Sequence, residues 1–123
     1  MTTANSTVLV VDDDPDIQDV VALALEDEGY RVVRAVGGAS IETAIEEQPQ
    51  LVLLDLNMPG MDGTAVSQRL RSEPATKHIP IVIMSAAGTN ISRPDLITDD
   101  WLFKPFDLAD LYAVVDRMVN RPV

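Results

Sequence analysis

Six residues in the chain are of types that could do chemistry together. Asp12, Asp13 and Asp14 run consecutively, and Asp55, Ser85 and Lys104 stand apart. Each group closes an apolar run: 8–11, 51–54, 81–84 and 101–103. Carboxylates brought close repel one another and partly protonate unless a cation neutralises them. Mg²⁺ suits such a set, because it takes one or two carboxylates, keeps several waters and completes its shell with phosphate oxygens. A carboxylate can also attack phosphorus and become an acyl phosphate. Phosphoryl transfer depends mostly on positioning and charge neutralisation, which Lys104 and a metal would supply. Ser85 could donate a hydrogen bond to a phosphoryl oxygen.

This chemistry requires elements that bring the six residues together. The runs 8–11, 31–34, 51–54, 81–84 and 101–103 predict five strands. Three are almost continuously apolar, as in strands covered on both faces. The second is flanked by Arg31 and Arg34 and reads as an edge. Between them lie helical patterns. Asp14 and Pro15 make an N-cap and first-turn pair, followed by a stripe of Ile17, Val20, Val21 and Ala24 and a stop at Gly29. Ile41, Ala44 and Ile45 form a second stripe that stops before Pro49, and Val66 and Leu70 mark a third helix that stops before Pro74. Asp107 caps a last helix carrying Leu108, Leu111, Tyr112, Val115, Met118 and Val119 on one face.

Strands alternating with helices predict an α/β fold with a parallel sheet covered on both sides. A five-stranded order 2-1-3-4-5 suits the length, and sites in such sheets form at the carboxyl ends of the strands. That order sets Asp12, Asp13, Asp55, Ser85 and Lys104 on one rim. Residues 88–100, where a fourth helix is due, hold Gly88, Thr89, Asn90, Ser92 and Pro94, all poor helix formers. The fourth helix is expected to be short or irregular.

Composition narrows the function classes. A chain of 123 residues with 46% hydrophobic content predicts one compact domain. Twenty acidic against nine basic residues give a formal charge of −11, which disfavours direct nucleic-acid binding and favours a metal ion or a basic partner. There is no Cys, so disulfides and thiolate ligands are excluded, which fits a cytoplasmic protein. No apolar run is long enough to span a membrane, and the polar start is no signal peptide. Residues 1–6 read as a flexible tail, 7–119 as the domain, and 120–123 as a tail or linker stub.

The segments 8–15 (VLVVDDDP), 54–63 (LDLNMPGMDG), 79–86 (IPIVIMSA) and 103–106 (FKPF) together closely resemble the receiver domain of two-component response regulators. The resemblance covers nearly the whole chain and implies the CheY-like, flavodoxin-like three-layer sandwich. By that resemblance Asp55 is the phosphoacceptor. Asp13 binds Mg²⁺ directly, Asp12 assists through water, and the backbone carbonyl of Asn57 is a third protein ligand. Lys104 contacts the phosphoryl group, and the Lys104–Pro105 peptide is cis. Ser85 turns towards the phosphate on activation, together with an aromatic residue three positions before the Lys, here Trp101. Asn57 and Ala87 match positions that tune dephosphorylation, and Ala87 has no side chain with which to hold an attacking water. The phosphoryl donor is a histidine kinase or histidine phosphotransfer protein, and the product is a switched protein-interaction surface on a monomer or a phosphorylation-dependent dimer. Such a domain catalyses only its own phosphorylation and dephosphorylation. The chain departs from the family pattern between Ser85 and Lys104. That segment is shorter, and Leu96–Ile97–Thr98–Asp99 stands where a Gly-Ala pair is usual.

Other residues carry plainer roles. Asp14 and Asp16 read as a helix cap and a first-turn acid. A calcium loop starting at Asp12 would need Gly and Glu where Ile17 and Leu23 stand. His78 reads as a surface residue, Met58 and Met61 as packing or loop residues, and Asp62-Gly63 as a helix start. Two other function classes compete with the receiver. A haloacid-dehalogenase-type phosphatase would use Asp12 as nucleophile, but Asp16 stands where it expects Thr or Val. A pseudo-receiver would be an interaction module that carries no phosphate, but neither the acceptor nor the Lys is lost. No DNA-binding or catalytic segment follows the last helix in this sequence, so the expectation is either a stand-alone receiver that acts by protein contact or a piece of a longer regulator with its own output domain.

Overall fold

A computed structural model describes residues 6–58, 61–86 and 96–120. Its elements run β1 (Thr7–Val11), α1 (Pro15–Asp27), β2 (Arg31–Ala35), α2 (Ala39–Glu47), β3 (Leu51–Asp55), β4 (Asn57–Met58), β5 (Met61–Asp62), α3 (Gly63–Ser72), β6 (Ile81–Ala86), β7 (Asp100–Lys104) and α4 (Leu108–Val119). The five long strands pair in parallel in the order β2-β1-β3-β6-β7. This is the 2-1-3-4-5 order, with the Arg-flanked strand at one edge.

Alternation along the strands divides the core in two. Val8, Val10, Leu51, Leu53, Val82 and Met84 face Val21 and Leu25 of α1 and Leu111 and Val115 of α4. Leu9, Val11, Val52, Leu54, Ile81 and Ile83 face Ile41 and Ala44 of α2 and Val66 and Leu70 of α3. Both faces of the central strands are therefore dry, which is why their sequences are apolar without alternation. The result is a three-layer sandwich.

Three positions of the expected helical stripes are corrected. Val20 is 52% exposed, and α1 buries Gln18, Val21, Ala22, Ala24 and Leu25 instead. At 100° per residue, Val20 lies about 200° from Gln18, on the far side of the helix. Ile45 sits at the exposed margin of α2. Leu108 is exposed and Val114 is buried, because the contact face of α4 centres on Leu111, Val115 and Met118. The sequence also gave no sign of the two-stranded antiparallel pair β4–β5, which sits directly between β3 and α3.

Helix ends follow their sequence signals. Asp14 caps α1 through the amide of Asp16, with Pro15 in the first turn. Asp107 and Asp110 form a reciprocal capping box on α4. The expectation of a short or irregular helix over 88–100 falls largely outside the described residues. Residues 96–99 are not helical. Asp99 is fixed at the start of β6, its amide donating to the Ile81 carbonyl and its Oδ2 accepting from the Ile81 amide and from Arg71.

Candidate functional site

The carboxyl ends of β1, β3, β6 and β7 meet at one rim. Asp12 and Asp13 follow β1, Asp55 ends β3, Ser85 is the penultimate residue of β6, and Lys104 ends β7. Register aligns them: Val11 opposes Leu54, Asp55 opposes Met84, and Ala86 opposes Lys104. Each strand therefore delivers its polar residue as it leaves the core.

The result is an acidic bowl with one wet wall. Asp12 is fully buried, Asp55 is buried and Asp13 is exposed. One carboxylate oxygen from each lies within 4.8 Å of the others. Lys104 Nζ bridges the two buried acids, 3.3 Å from Asp12 Oδ2 and 3.4 Å from Asp55 Oδ1. Asp12 Oδ1 accepts the Asp14 amide at 2.9 Å. Formal charges of three carboxylates and one ammonium sum to −2, which one divalent cation would neutralise. All the side-chain ligands offered are oxygens, the donor that Mg²⁺ prefers, and the exposed wall leaves room for the waters it keeps. The residues therefore fit Mg²⁺.

The other expected site residues are placed as follows. Ser85 is 1% exposed and its hydroxyl makes a long bond, 3.4 Å, to the Ala86 carbonyl. Trp101 is half-buried against the core on the α2 and α3 side and stacks on Phe103, with centroids 5.8 Å apart. The Lys104–Pro105 peptide is cis. Asn57 lies in β4, immediately after the β3 end, and its backbone pairs with Asp62. Ala87 lies outside the described residues. His78 is exposed and lines a cavity with Lys77 and Met118, far along the strands from the aspartates.

Two residues shape the site without having been singled out for it. Gly63 approaches the acceptor strand end so closely that an added Cβ would fall 2.6 Å from the Asp55 carbonyl oxygen and 2.8 Å from Leu56 Cα. Its amide donates to Leu56 O at 3.0 Å, which holds α3 against the turn that follows Asp55. Only glycine fits there without moving backbone. Gln18 is buried, and its amide nitrogen donates to Asp12 O at 2.5 Å and to Ala35 O at 3.1 Å. A polar residue three positions before Val21, on the buried face of α1, was the available signal.

An open parallel α/β sheet with a lysine-bridged acidic cluster at its switch point defines the class: a doubly wound domain whose candidate site lies at the carboxyl edge of the sheet. A family model described as the response regulator receiver domain matches residues 8–116, and the chain belongs to that family. The Synechocystis DNA-binding dual master transcriptional regulator RpaA is 41% identical over 93% of this chain and 49% of its own length. The Pseudomonas aeruginosa phosphate regulon transcriptional regulatory protein PhoB is 33% identical over 94% of this chain and 52% of its own length. The chain thus spans about half the length of these curated relatives. Among solved structures, Vibrio cholerae chemotaxis response regulator CheY4 superposes with TM-score 0.85 at 27% identity, covering 94% of this chain and 99% of that one. The receiver domain of Pseudomonas aeruginosa sensor histidine kinase PA1611, solved with magnesium in its active site cleft, gives TM-score 0.85 at 27% identity, covering 94% and 98%. The chain is a receiver domain of a two-component system, a class of signalling proteins. No helix among the described residues is long and apolar enough to cross a membrane.

Proposed function

We propose that this receiver domain accepts a phosphoryl group on Asp55, from a histidine kinase or histidine phosphotransfer protein, in a Mg²⁺-dependent reaction. The observation that carries the reading is the Lys104 bridge between Asp12 and Asp55, with Asp13 open beside them. Asp12 is a poor nucleophile here. It is fully buried, one oxygen holds the Asp14 amide and the other faces Lys104. This argues against the phosphatase reading, which needs Asp12 to attack.

In the transfer, an Asp55 oxygen attacks phosphorus, the phosphorus–nitrogen bond of the phosphohistidine breaks, and the imidazole leaves with a proton from solvent. Asp13, Asp55 and the Asn57 carbonyl would hold Mg²⁺, with Asp12 assisting through water, and the ion would supply charge neutralisation at the phosphoryl oxygens. Lys104 keeps its place and exchanges the Asp55 carboxylate for a phosphoryl oxygen. The Ser85 hydroxyl, weakly engaged at 3.4 Å, is free to reorient as a donor to the same group. Trp101 moves with it, and the surface around β7 and α4 changes. Ala87 and Asn57 set the rate at which water reaches the acyl phosphate.

The domain acts in the cytoplasm, as a monomer or a phosphorylation-dependent dimer, and its catalysis is confined to its own phosphorylation and dephosphorylation. The receiver unit is residues 7–119, with tails at 1–6 and 120–123. With a net charge of −11 it signals through protein contact and makes no direct contact with nucleic acid.

Intact-protein mass after incubation with Mg²⁺ and acetyl phosphate tests the assignment. One phosphoryl group is expected, lost in Asp55→Asn. Labelling that survives Asp55→Asn and disappears in Asp12→Asn would overturn it in favour of the phosphatase-type site.

A further inference from the structure

We propose that Gln18 is a positioning residue for Asp13, fixing the direction from which that carboxylate reaches the metal. The inference rests on the reading of Asp13 as a Mg²⁺ ligand. Asp13 is exposed and makes no hydrogen bond or ion pair with another described residue, so its backbone alone decides where its carboxylate starts. That backbone is held on both sides, and on the far side the Asp14 amide donates to Asp12 Oδ1 at 2.9 Å. The carbonyl of the Asp12–Asp13 peptide accepts a hydrogen bond from Gln18 Nε2 at 2.5 Å. A peptide is planar, so holding its oxygen restricts the tilt of the plane that carries Asp13 N and Cα.

The anchor is itself well held. The two protons of a Gln amide allow one nitrogen to serve two acceptors. The second goes to Ala35 O at 3.1 Å, the last residue of β2, which pairs with Val11. Gln18 therefore ties the metal-bearing turn to a strand that carries no site residue. It does so from the buried face of α1, where Val21 and Leu25 lock the helix on the sheet. A residue needed only for packing would be apolar at this place, like those neighbours. A buried amide aimed at two carbonyls is costly unless both bonds are made, so its direction is specified.

Partners that orient metal ligands commonly change metal affinity by ten- to a hundredfold when removed, which sets the scale. The test is calorimetric Mg²⁺ titration of the wild-type chain, Gln18→Met, Asp13→Asn and the double variant. Met matches Gln in length and donates nothing. Gln18→Met is expected to weaken Mg²⁺ about tenfold when Asp13 is present. In the Asp13→Asn background the same change should matter less than about twofold, because coupled residues are non-additive. A purely structural strap would lower the melting temperature of Gln18→Met and leave its Mg²⁺ affinity unchanged, and that result would overturn the proposal. An equal loss in both backgrounds would overturn it as well, since Gln18 would then not act through Asp13. Should Gln18→Met not fold, Gln18→Asn replaces it; the shorter stem keeps the polar head but cannot reach both carbonyls, and the same losses are expected. A wild-type chain that bound no Mg²⁺ would instead overturn the metal reading itself, and this inference with it.

Discussion

Replacing Gly63 with Ala perturbs the acceptor strand end from behind, without touching any charged side chain. The added Cβ would lie 2.6 Å from Asp55 O, 2.8 Å from Leu56 Cα and 2.8 Å from Leu56 O. All three are backbone atoms, so no rotamer change relieves the contact. Overpacking of a well-packed site costs typically about 1–3 kcal/mol, and three backbone clashes place this change near the top of that range. Ala gains up to about 1 kcal/mol over Gly inside a helix, but Gly63 opens α3 and little of that gain applies. A net loss of about 2–3 kcal/mol follows. For a chain of this size that is a fall of about 10 °C in melting temperature. Urea unfolding followed by far-UV circular dichroism measures it. Gly38→Ala serves as the control, since Gly38 is exposed with a right-handed φ of −64° that Ala adopts freely. Relief of the clash requires the turn after Asp55 to move, so Mg²⁺ affinity should fall in the folded Gly63→Ala protein. A loss under about 1 kcal/mol with Mg²⁺ affinity intact would refute the claim that α3 is seated on the acceptor turn.

Other consequences of the structure are measurable. Mg²⁺ at a hundred times its Kd should stabilise the wild-type chain by about 2.7 kcal/mol, and Asp13→Asn should lose most of that gain in a melting titration. Val21→Ser should destabilise by about 2 kcal/mol in urea melts, whereas Val20→Ser should stay within about 0.5 kcal/mol, which tests the corrected face of α1. Asp99→Ala should cost about 1.5–3 kcal/mol, because Arg71 and the Ile81 amide both lose a charged acceptor; an unchanged urea midpoint would show that the clamp is idle. Burial, with Asp116 and Glu28 adding to it, raises the Tyr30 hydroxyl above its ordinary value of 10.0. The folded state therefore holds this proton more tightly than the unfolded state does. The stability it contributes is full below the ordinary value and is lost as the pH rises through the higher folded one. Tyr30→Phe should flatten the alkaline limb of a stability–pH curve, and an unaltered limb would assign that loss to other groups.

Much of this molecule was legible in its sequence. The central strands declared themselves because both their faces are dry, leaving no polar residue to interrupt 8–11, 51–54 or 81–84. The rim residues could be listed because each is the first polar group after such a run. The helical faces were less legible. Val20 and Leu108 are apolar and correctly spaced, yet they lie exposed, since an apolar residue on a surface costs little and periodicity cannot reject it. Gln18 and Gly63 were missed for a different reason. Their roles depend on which backbone atoms come near them in space, and neither the Ala35 carbonyl nor the Asp55 carbonyl is their neighbour in the chain. The β4–β5 pair was invisible because two-residue strands have no period to read.

The central claim is that Asp55, within a magnesium-binding acidic cluster, carries the phosphoryl group. Reductive trapping tests it most directly: the chain is phosphorylated with Mg²⁺ and a small phosphoryl donor, the acyl phosphate is reduced with borohydride, and peptide mass spectrometry locates the resulting homoserine. Homoserine at position 55, absent when Mg²⁺ is chelated beforehand, is the predicted result. Homoserine at Asp12 or Asp13, or trapping at Asp55 that is indifferent to Mg²⁺, would contradict it.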